Sequence, residues 1–307
     1  MKILLTTNKT LSNGSVSWVD GGYWNVYLPL TEMGHEVFFY DTVAEEMNFD
    51  AAVKIFEPDL IFCCFTNDPR IAPREPWDQI KKYTESDEII TFNWFCDETW
   101  RFENFSKHAC HYFNVCSTPE FSYIEKFKKE AQYENIILGL WHSNINLFPK
   151  EEIEKIYDVS FCGHLNKDRK DYMNYLEKND VQVSNFHGLE HKEMLKTLAK
   201  SKIGINFSKN HNGAKPTLQM KGRMFEVPAA KSLLFTEYAP GLERYYEIDK
   251  EIITYSSPKE MLYKMKTLLS KPEIVKMITD YGYKRFTNEH ESKIRLKQLL
   301  SEIKELA

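Results

Sequence analysis

The sequence predicts an α/β protein of two domains, each built on a parallel sheet. Three observations carry this. At 307 residues the chain exceeds one ordinary core and fits two domains of about 150 residues each. Hydrophobic residues make up 42% and charged residues 28%, the balance of a folded globular protein rather than a disordered or fibrous one. Short apolar, β-branched or aromatic runs alternate with longer helical patterns, which is how βαβ units read in sequence.

In the first half the strand candidates are KILLTT (2–7), EVFFYD (36–41), DLIFCCF (59–65), IITFNWF (89–95), YFNVCST (112–118) and NIILGLW (135–141), with helices in most of the gaps. The pattern restarts with DVSFCG (158–163), VQVSNF (181–186), IGINFS (203–208), SLLFTE (232–237) and EIITYSS (251–257). Between the halves, SNINLFPKEEIEKIYD changes character at Pro149 and a charged stretch, so the boundary is placed near residue 150. After residue 257 the chain turns helical. Met261, Leu262, Met265, Leu268 and Leu269 form one apolar stripe and Leu296, Leu299, Leu300 and Ile303 another, both read as core. With no internal repeat and no low-complexity linker, the cleft between two similar α/β domains is the expected ligand site, at the carboxyl ends of the strands.

A net charge of −5 argues against a protein that coats nucleic acid, because neutralising phosphates requires a basic surface. The aromatic share of 14% suits core packing first and stacking on sugars or bases second. The opening MKILLTTNKT has too short an apolar stretch for a signal peptide, and no uncharged run reaches the ~18 residues of a membrane helix, so the expected location is the cytoplasm. The sequons at Asn8, Asn13, Asn104 and Asn206 then carry no glycan. Six cysteines, at 63, 64, 96, 110, 116 and 162, show neither paired metal spacing nor Cys-x-x-Cys. Cys110-His111 with Cys116 could form a metal corner, but the alternation in HYFNVCST favours buried strand thiols, and no metal site is expected.

Three segments could carry chemistry. The loop after the first strand ends in Gly21-Gly22 and leads into a helix, where a glycine pair lets backbone N–H groups approach an anion; a plain strand-to-helix turn is the other reading. Neither Gly-x-Gly-x-x-Gly nor Gly-Lys-Ser/Thr occurs there, which removes the dehydrogenase and P-loop classes. Strand 89–95 runs into CDETWRF and sets Asp97, Glu98 and Arg101 past a carboxyl end. Asp97 is the candidate polar residue of the cleft, against a helix N-cap with Glu98 favouring the helix dipole.

The richest segment follows IGINFS. It offers Lys209, Asn210, His211, Asn212, Lys215, Lys221 and Arg223 before an apolar helix containing Glu226. Cations that can meet a diphosphate, then a carboxylate that can accept from a ribose diol, are what a nucleotide-sugar needs. A solvated basic loop with Glu226 paired to Arg223 is the alternative. A second basic cluster, His164, Asn166, Lys167, Arg169 and Lys170, follows Gly163, although one helix cannot point all of these the same way.

These residues together resemble the retaining glycosyltransferases of GT-B fold, glycosyltransferase family 4-like (group 1), closest to the CgeB-like branch. Gly21-Gly22, Leu28, Leu30 and Gly34-His35-Glu36-Val37 resemble the family's first βαβ turn, and Phe148-Pro149 its interdomain junction. The stretch from Tyr157 to Arg285 is similar in order and spacing: Asp158 to Gly163, Ile205-Asn206, Arg223-Met224-Phe225-Glu226, Leu233 to Thr236 and Gly241-Leu242-Glu243. The resemblance implies two Rossmann-like domains facing a cleft: residues 1–150 for the acceptor, 151–288 for the donor, and 289–307 as a last helix crossing back onto the first domain. It also implies that Glu226 holds the donor ribose, and that Arg223 and nearby basic residues meet the diphosphate. Gly21, Gly22, Gly163, His164, Lys215 and Lys221 complete the expected donor set. The chain departs from the family in having Leu218 where a second glutamate is usual, and Lys231-Ser232 where a glycine ends the helix.

The expected activity is transfer of sugar from a nucleotide-diphosphate-sugar to an unidentified acceptor (glycan, small molecule, lipid, protein or nucleic-acid base), with retention and with no cofactor. No Asp-x-Asp pair stands at a strand end, so metal-independent transfer is expected, with Asp97 or a histidine near the cleft assisting the acceptor. The rival classes are a nucleotide-sugar epimerase of the same fold and a catalytically silent nucleotide-sugar-binding protein.

Overall fold

The computed structural model describes residues 1–13, 16–44 and 47–307. The chain forms two compact units, one of residues 1–140, 212–214 and 292–307, the other of residues 141–211 and 215–291.

The first unit contains β1 (Lys2–Thr7), a hairpin of β2 (Thr10–Asn13) and β3 (Val16–Val19), then β4 (Glu36–Asp41), β5 (Leu60–Cys63), β6 (Ile90–Trp94), β7 (Val115–Thr118) and β8 (Ile136–Leu138). Apart from the hairpin these make one parallel sheet in the order β4-β1-β5-β6-β7-β8. Ile3, Leu4, Leu5, Leu60, Ile61 and Phe62 are fully buried, as continuous apolar strands covered on both faces must be. Phe49, Phe65, Phe95, Phe102, Phe113 and Phe127 fill one core cluster, so this share of the aromatic content is packing. The helix Phe49–Phe56 starts where Asn48 Oδ1 accepts from Ala51 N at 3.2 Å. The last helix, Ser292–Leu306, belongs to this unit: Leu296 is wholly buried, and Lys293 pairs with Glu32 at 2.8 Å.

The second unit contains β9 (Tyr157–Cys162), β10 (Ser184–Phe186), β11 (Ser201–Asn206), a hairpin of β12 (Lys209–Asn210) and β13 (Thr217–Leu218), β14 (Leu233–Glu237) and β15 (Ile253–Tyr255). Its parallel sheet runs β10-β9-β11-β14-β15. Val159, Ile203, Ile205, Leu233, Phe235 and Tyr255 form the sheet side of its core, and Met261, Met265 and Ile278 the helix side. Gly204 is there because the helix packs close: a Cβ would stand 2.8 Å from Val227 Cγ1. Both stripes read as core, at 261–269 and 296–303, are buried at Met261, Met265, Leu268, Leu296, Leu299, Leu300 and Ile303.

The structure departs from the sequence reading at the 112–118 strand and in two loops. The strand expected at 112–118 begins only at Val115. Cys110–Tyr112 is a single 3-10 turn, closed by Phe113 N donating to Cys110 O, so Cys110 and His111 are not on a strand. Among the described residues no His/Cys/Asp/Glu cluster of three or more could hold a metal. The loops 8–20 and 209–218, expected to be irregular, each contain an antiparallel hairpin. Among the described residues no helix is long and apolar enough to cross a membrane.

Candidate functional site

In the second unit, β9, β11 and β14 end side by side, and the polar residues that follow them are drawn together by hydrogen bonds. Tyr255 Oη donates to Asn206 O at 2.8 Å, Asn206 Nδ2 donates to Thr236 Oγ1 at 2.9 Å, and Ser208 Oγ donates to Glu237 O at 2.5 Å. Lys209 N then donates to Glu237 Oε2 at 2.8 Å, tying the start of the β12–β13 hairpin to the end of β14. Inside the hairpin Asn210 Nδ2 donates to Gln219 Oε1 at 2.7 Å.

The helix Lys167–Glu177 starts at Asn166, whose side chain accepts from Arg169 N at 3.0 Å. That cap turns Arg169 inward. Its guanidinium lies 5.7 Å from the ring centroids of both Phe161 and Phe207, and Nη1 donates to His164 O at 2.7 Å. Arg169 Nε is buried with no hydrogen-bond partner among the described residues. Burial lowers the pKa of this group, while Tyr255 and Glu237 hold the cation. Asp168 on the same turn takes Lys209 Nζ and His211 Nε2, each at 3.3 Å.

Arg223 and Glu226 stand one turn apart on the helix Arg223–Ala229 and pair at 2.7 Å, with Glu226 only 9% exposed. The local pairing that sequence reading left open is therefore present. It does not exhaust either group, because a guanidinium has five donors and a carboxylate about four lone-pair sites. Burial pushes the Cys162 thiol up to about 11; nearby Arg223 opposes this and Glu226 adds to it, which places the end of β9 in the field of that pair.

The expected donor residues are not equivalent. Gly163 closes β9 with its N–H donated to Phe186 O at 2.9 Å, and a Cβ there would meet the Phe161 ring at 3.0 Å. His164 is exposed, its ring edge-on to His187 at 5.2 Å. Lys221 Nζ donates to Lys209 O at 3.1 Å and so braces the hairpin. Lys215 is exposed, in the loop between β12 and β13. Two residues outside the expected set, Arg169 and Glu237, are more deeply built into the cluster. Glu237 was legible only as the last residue of a strand, and Arg169 only as one of several cations after Gly163.

In the first unit Gly21-Gly22 opens the helical run that continues as a π-helical turn, Tyr23–Tyr27. Asp20 Oδ1 accepts from Gly22 N at 2.9 Å, so a carboxylate already occupies that amide. Asp97 precedes the short helix Glu98–Arg101 without a side-chain capping bond, and its Oδ2 lies 3.8 Å from Arg101 Nε. Glu98 opens the helix Glu98–Arg101, as the helix-cap alternative has it, and is also buried, at 1% exposed. It accepts from Thr118 Oγ1 at 2.5 Å and Ser106 Oγ at 3.2 Å, and burial pushes its carboxyl up to about 7. Its spacing, four residues before Phe102 and eight before Ser106, was the available signal, since all three share one buried face.

Residues 151–301 match the family described as "Glycosyl transferase-like". No curated protein matches the chain at a significant level. Among solved structures, it is similar over 99% of its length to an alpha-glucosyltransferase in complex with UDP-glucose and DNA containing an abasic site, which is covered to 99%, at 11% identity and a TM-score of 0.66. Sucrose-phosphate synthase from Thermosynechococcus elongatus aligns over 100% of both chains at 9% identity and a TM-score of 0.65. Anabaena HepE in complex with UDP-glucose aligns over 99% of this chain and 100% of its own at 11% identity and a TM-score of 0.62. At these identities the structures speak for the fold, and the sequence family speaks for the second half. Residues 151–301 therefore match a glycosyl transferase-like family, and the chain has the GT-B fold.

Proposed function

We propose that the chain transfers a sugar from a nucleoside-diphosphate sugar to an acceptor, with the donor held at the carboxyl ends of β9, β11 and β14. The observation that carries this is the part-buried Arg223–Glu226 pair with Arg169 close enough to repel Arg223 and itself held by Glu237, since it brings fixed cations and a ribose-accepting carboxylate to one strand edge. Solved structures of the same fold contain UDP-glucose, which supports a nucleotide-sugar donor here.

In this reading Glu226 accepts from the ribose hydroxyls. Arg223, Arg169 and Lys221, with the backbone after Gly163 and the side chains of His164 and Lys215, face the diphosphate. As the bond between the anomeric carbon and the diphosphate oxygen breaks, negative charge grows on the leaving group. Preformed cations stabilise that charge more than they stabilise the bound donor, which is what lowers the barrier. The acceptor oxygen bonds to the anomeric carbon on the face the diphosphate leaves, and its proton passes to a phosphate oxygen. Configuration is thereby retained and no metal is required. Asp97 is assigned to orienting the acceptor, and Gly21-Gly22 to phosphate contact once Asp20 yields the Gly22 amide. We place the reaction in the cytoplasm; all six cysteines are free thiols, as a reducing compartment would keep them.

The test is a screen of UDP-, GDP-, ADP- and CDP-sugars in EDTA, following thermal shift, release of nucleoside diphosphate and the sugar product by NMR. Selective stabilisation and EDTA-resistant release, both lost in Glu226→Ala and Arg223→Ala, support the donor assignment. An altered sugar nucleotide with no transfer would make the chain an epimerase, and binding without turnover a silent binder. No response to any sugar nucleotide would sink the proposal.

A further inference from the structure

A cavity of about 620 Å³ opens at the opposite edge of the second unit's sheet, where the strands begin rather than end. Asp158 and Lys202 in its wall stand near the starts of β9 and β11, and Lys231 leads into β14. Six-residue strands separate it from the donor residues by roughly 20 Å. Its volume is that of a small-ligand pocket, which runs from about 300 to 1,000 Å³.

One part of the wall is apolar, with Pro149, Leu269 and Pro272 accessible beside Phe148 and Tyr283, and Glu151 and Glu152 stand at another part of it. Another carries two ammonium groups. Lys155 Nζ donates to Lys231 O at 2.5 Å, Ser232 Oγ at 3.2 Å and Ala230 O at 3.5 Å, which fixes it at the end of the helix Arg223–Ala229. Lys231 Nζ lies 4.9 Å from the Tyr283 ring centroid. Among the described residues neither ammonium is within 4.0 Å of a carboxylate, whereas Lys202 and Lys276 in the same wall pair with Asp158 and Asp280 at 2.6 Å each. Burial and repulsion from Lys231 pull the Lys155 pKa down to about 8, and Glu152 offsets only part of that. Lys231 also sits at φ 51°, a left-handed position where helix ends ordinarily take glycine, so a lysine is kept there at a backbone cost.

We propose that this cavity is a ligand site separate from the donor site, and that it takes a fatty-acid-like anionic amphiphile, with the head group on Lys155 and Lys231 and the alkyl chain along Pro149, Leu269 and Pro272. An anion there relieves two like charges that no carboxylate of the unit contacts, and an alkyl chain removes the apolar wall from water.

The probe is dodecanoate below its micelle concentration, titrated calorimetrically into the full chain, with dodecanol as the uncharged control. Saturable 1:1 binding is expected, weakened at least tenfold in Lys155→Met and in Lys231→Gly, and much weaker for dodecanol. Lys231→Gly removes the left-handed strain as well as the charge. It is expected to keep or raise Tm, so lost binding in that variant reports the site and not unfolding. The proposal is overturned by absence of saturable dodecanoate binding, by unchanged affinity in both variants, by equal affinity for dodecanol, or by displacement of dodecanoate by UDP.

Discussion

Replacing Glu98 by glutamine tests whether this carboxyl is folded into the first unit in its protonated form. Its ordinary pKa of 4.5 is pushed to about 7, first by burial, against the opposing hydrogen bonds from Thr118 and Ser106. The sign follows from linkage. A carboxyl whose folded pKa lies above its unfolded one favours the folded state at low pH and gives up that advantage as pH rises from 4.5 to about 7. At about 1.4 kcal/mol per pKa unit, the loss approaches roughly 3 kcal/mol by pH 8. Glutamine is close in shape and stays neutral, and its amide can donate to one hydroxyl and accept from the other. Glu98→Gln is therefore expected to match the wild type at pH 4 and to exceed it by up to about 3 kcal/mol at pH 8, erasing this part of the pH slope. The assay is urea denaturation across pH 4–8, with hydrogen exchange of β6 and β7 amides as the local readout, because the two units need not melt together. A variant with the same pH slope as the wild type, or one less stable at pH 8, would refute a buried, protonated Glu98.

Three other outcomes are expected. Gly204→Ala drives a methyl to 2.8 Å from Val227 Cγ1, so it should cost about 1–3 kcal/mol in denaturant, and adding Val227→Ala should recover part of that; a neutral single variant would show that helix and sheet can separate there freely. Leu296→Ala in the last helix should cost about 2–5 kcal/mol, because the side chain is wholly buried, and should raise amide exchange in the first unit's sheet; unchanged exchange in that sheet would contradict the helix's place in that unit. Burial pushes the thiols of Cys63, Cys96 and Cys116 well up, Cys110 to about 12 and Cys162 to about 11. At pH 8 Ellman's reagent should therefore label the native chain slowly and all six thiols only in denaturant; prompt labelling of one thiol in the folded state would show a reactive cysteine.

The strands were legible where apolar runs are continuous, since a strand buried on both faces has nothing else to be. KILLTT matches β1 residue for residue, and EVFFYD matches the edge strand β4, where no residue is buried and the aromatic and β-branched content is the signal. Legibility fell where one hydrogen bond decides the backbone. HYFNVCST alternates like a strand throughout, yet Phe113 N closes a turn on Cys110 O and Asn114 Oδ1 takes Thr91 N at 2.8 Å, which delays the strand to Val115. Of the candidate site, Arg223 and Glu226 could be read from their spacing. Glu237 and Arg169 could not, because their importance comes from what lies beside them on other strands.

By itself the sequence determined the composition class, the alternation of strands and helices, the restart of that pattern in the second half and the resemblance to a glycosyltransferase. These depend on local periodicity and residue chemistry, which travel with the chain. Only the tertiary structure decided which charges are buried, which are paired and which share a strand edge. It buried the Glu98 carboxyl at the start of its helix, filled the Gly22 amide with Asp20, and set Lys155 and Lys231 around a cavity that no motif announces. The physical reason is that desolvation and Coulomb energy depend on distance through space, and residues far apart in sequence meet only once the sheets have formed.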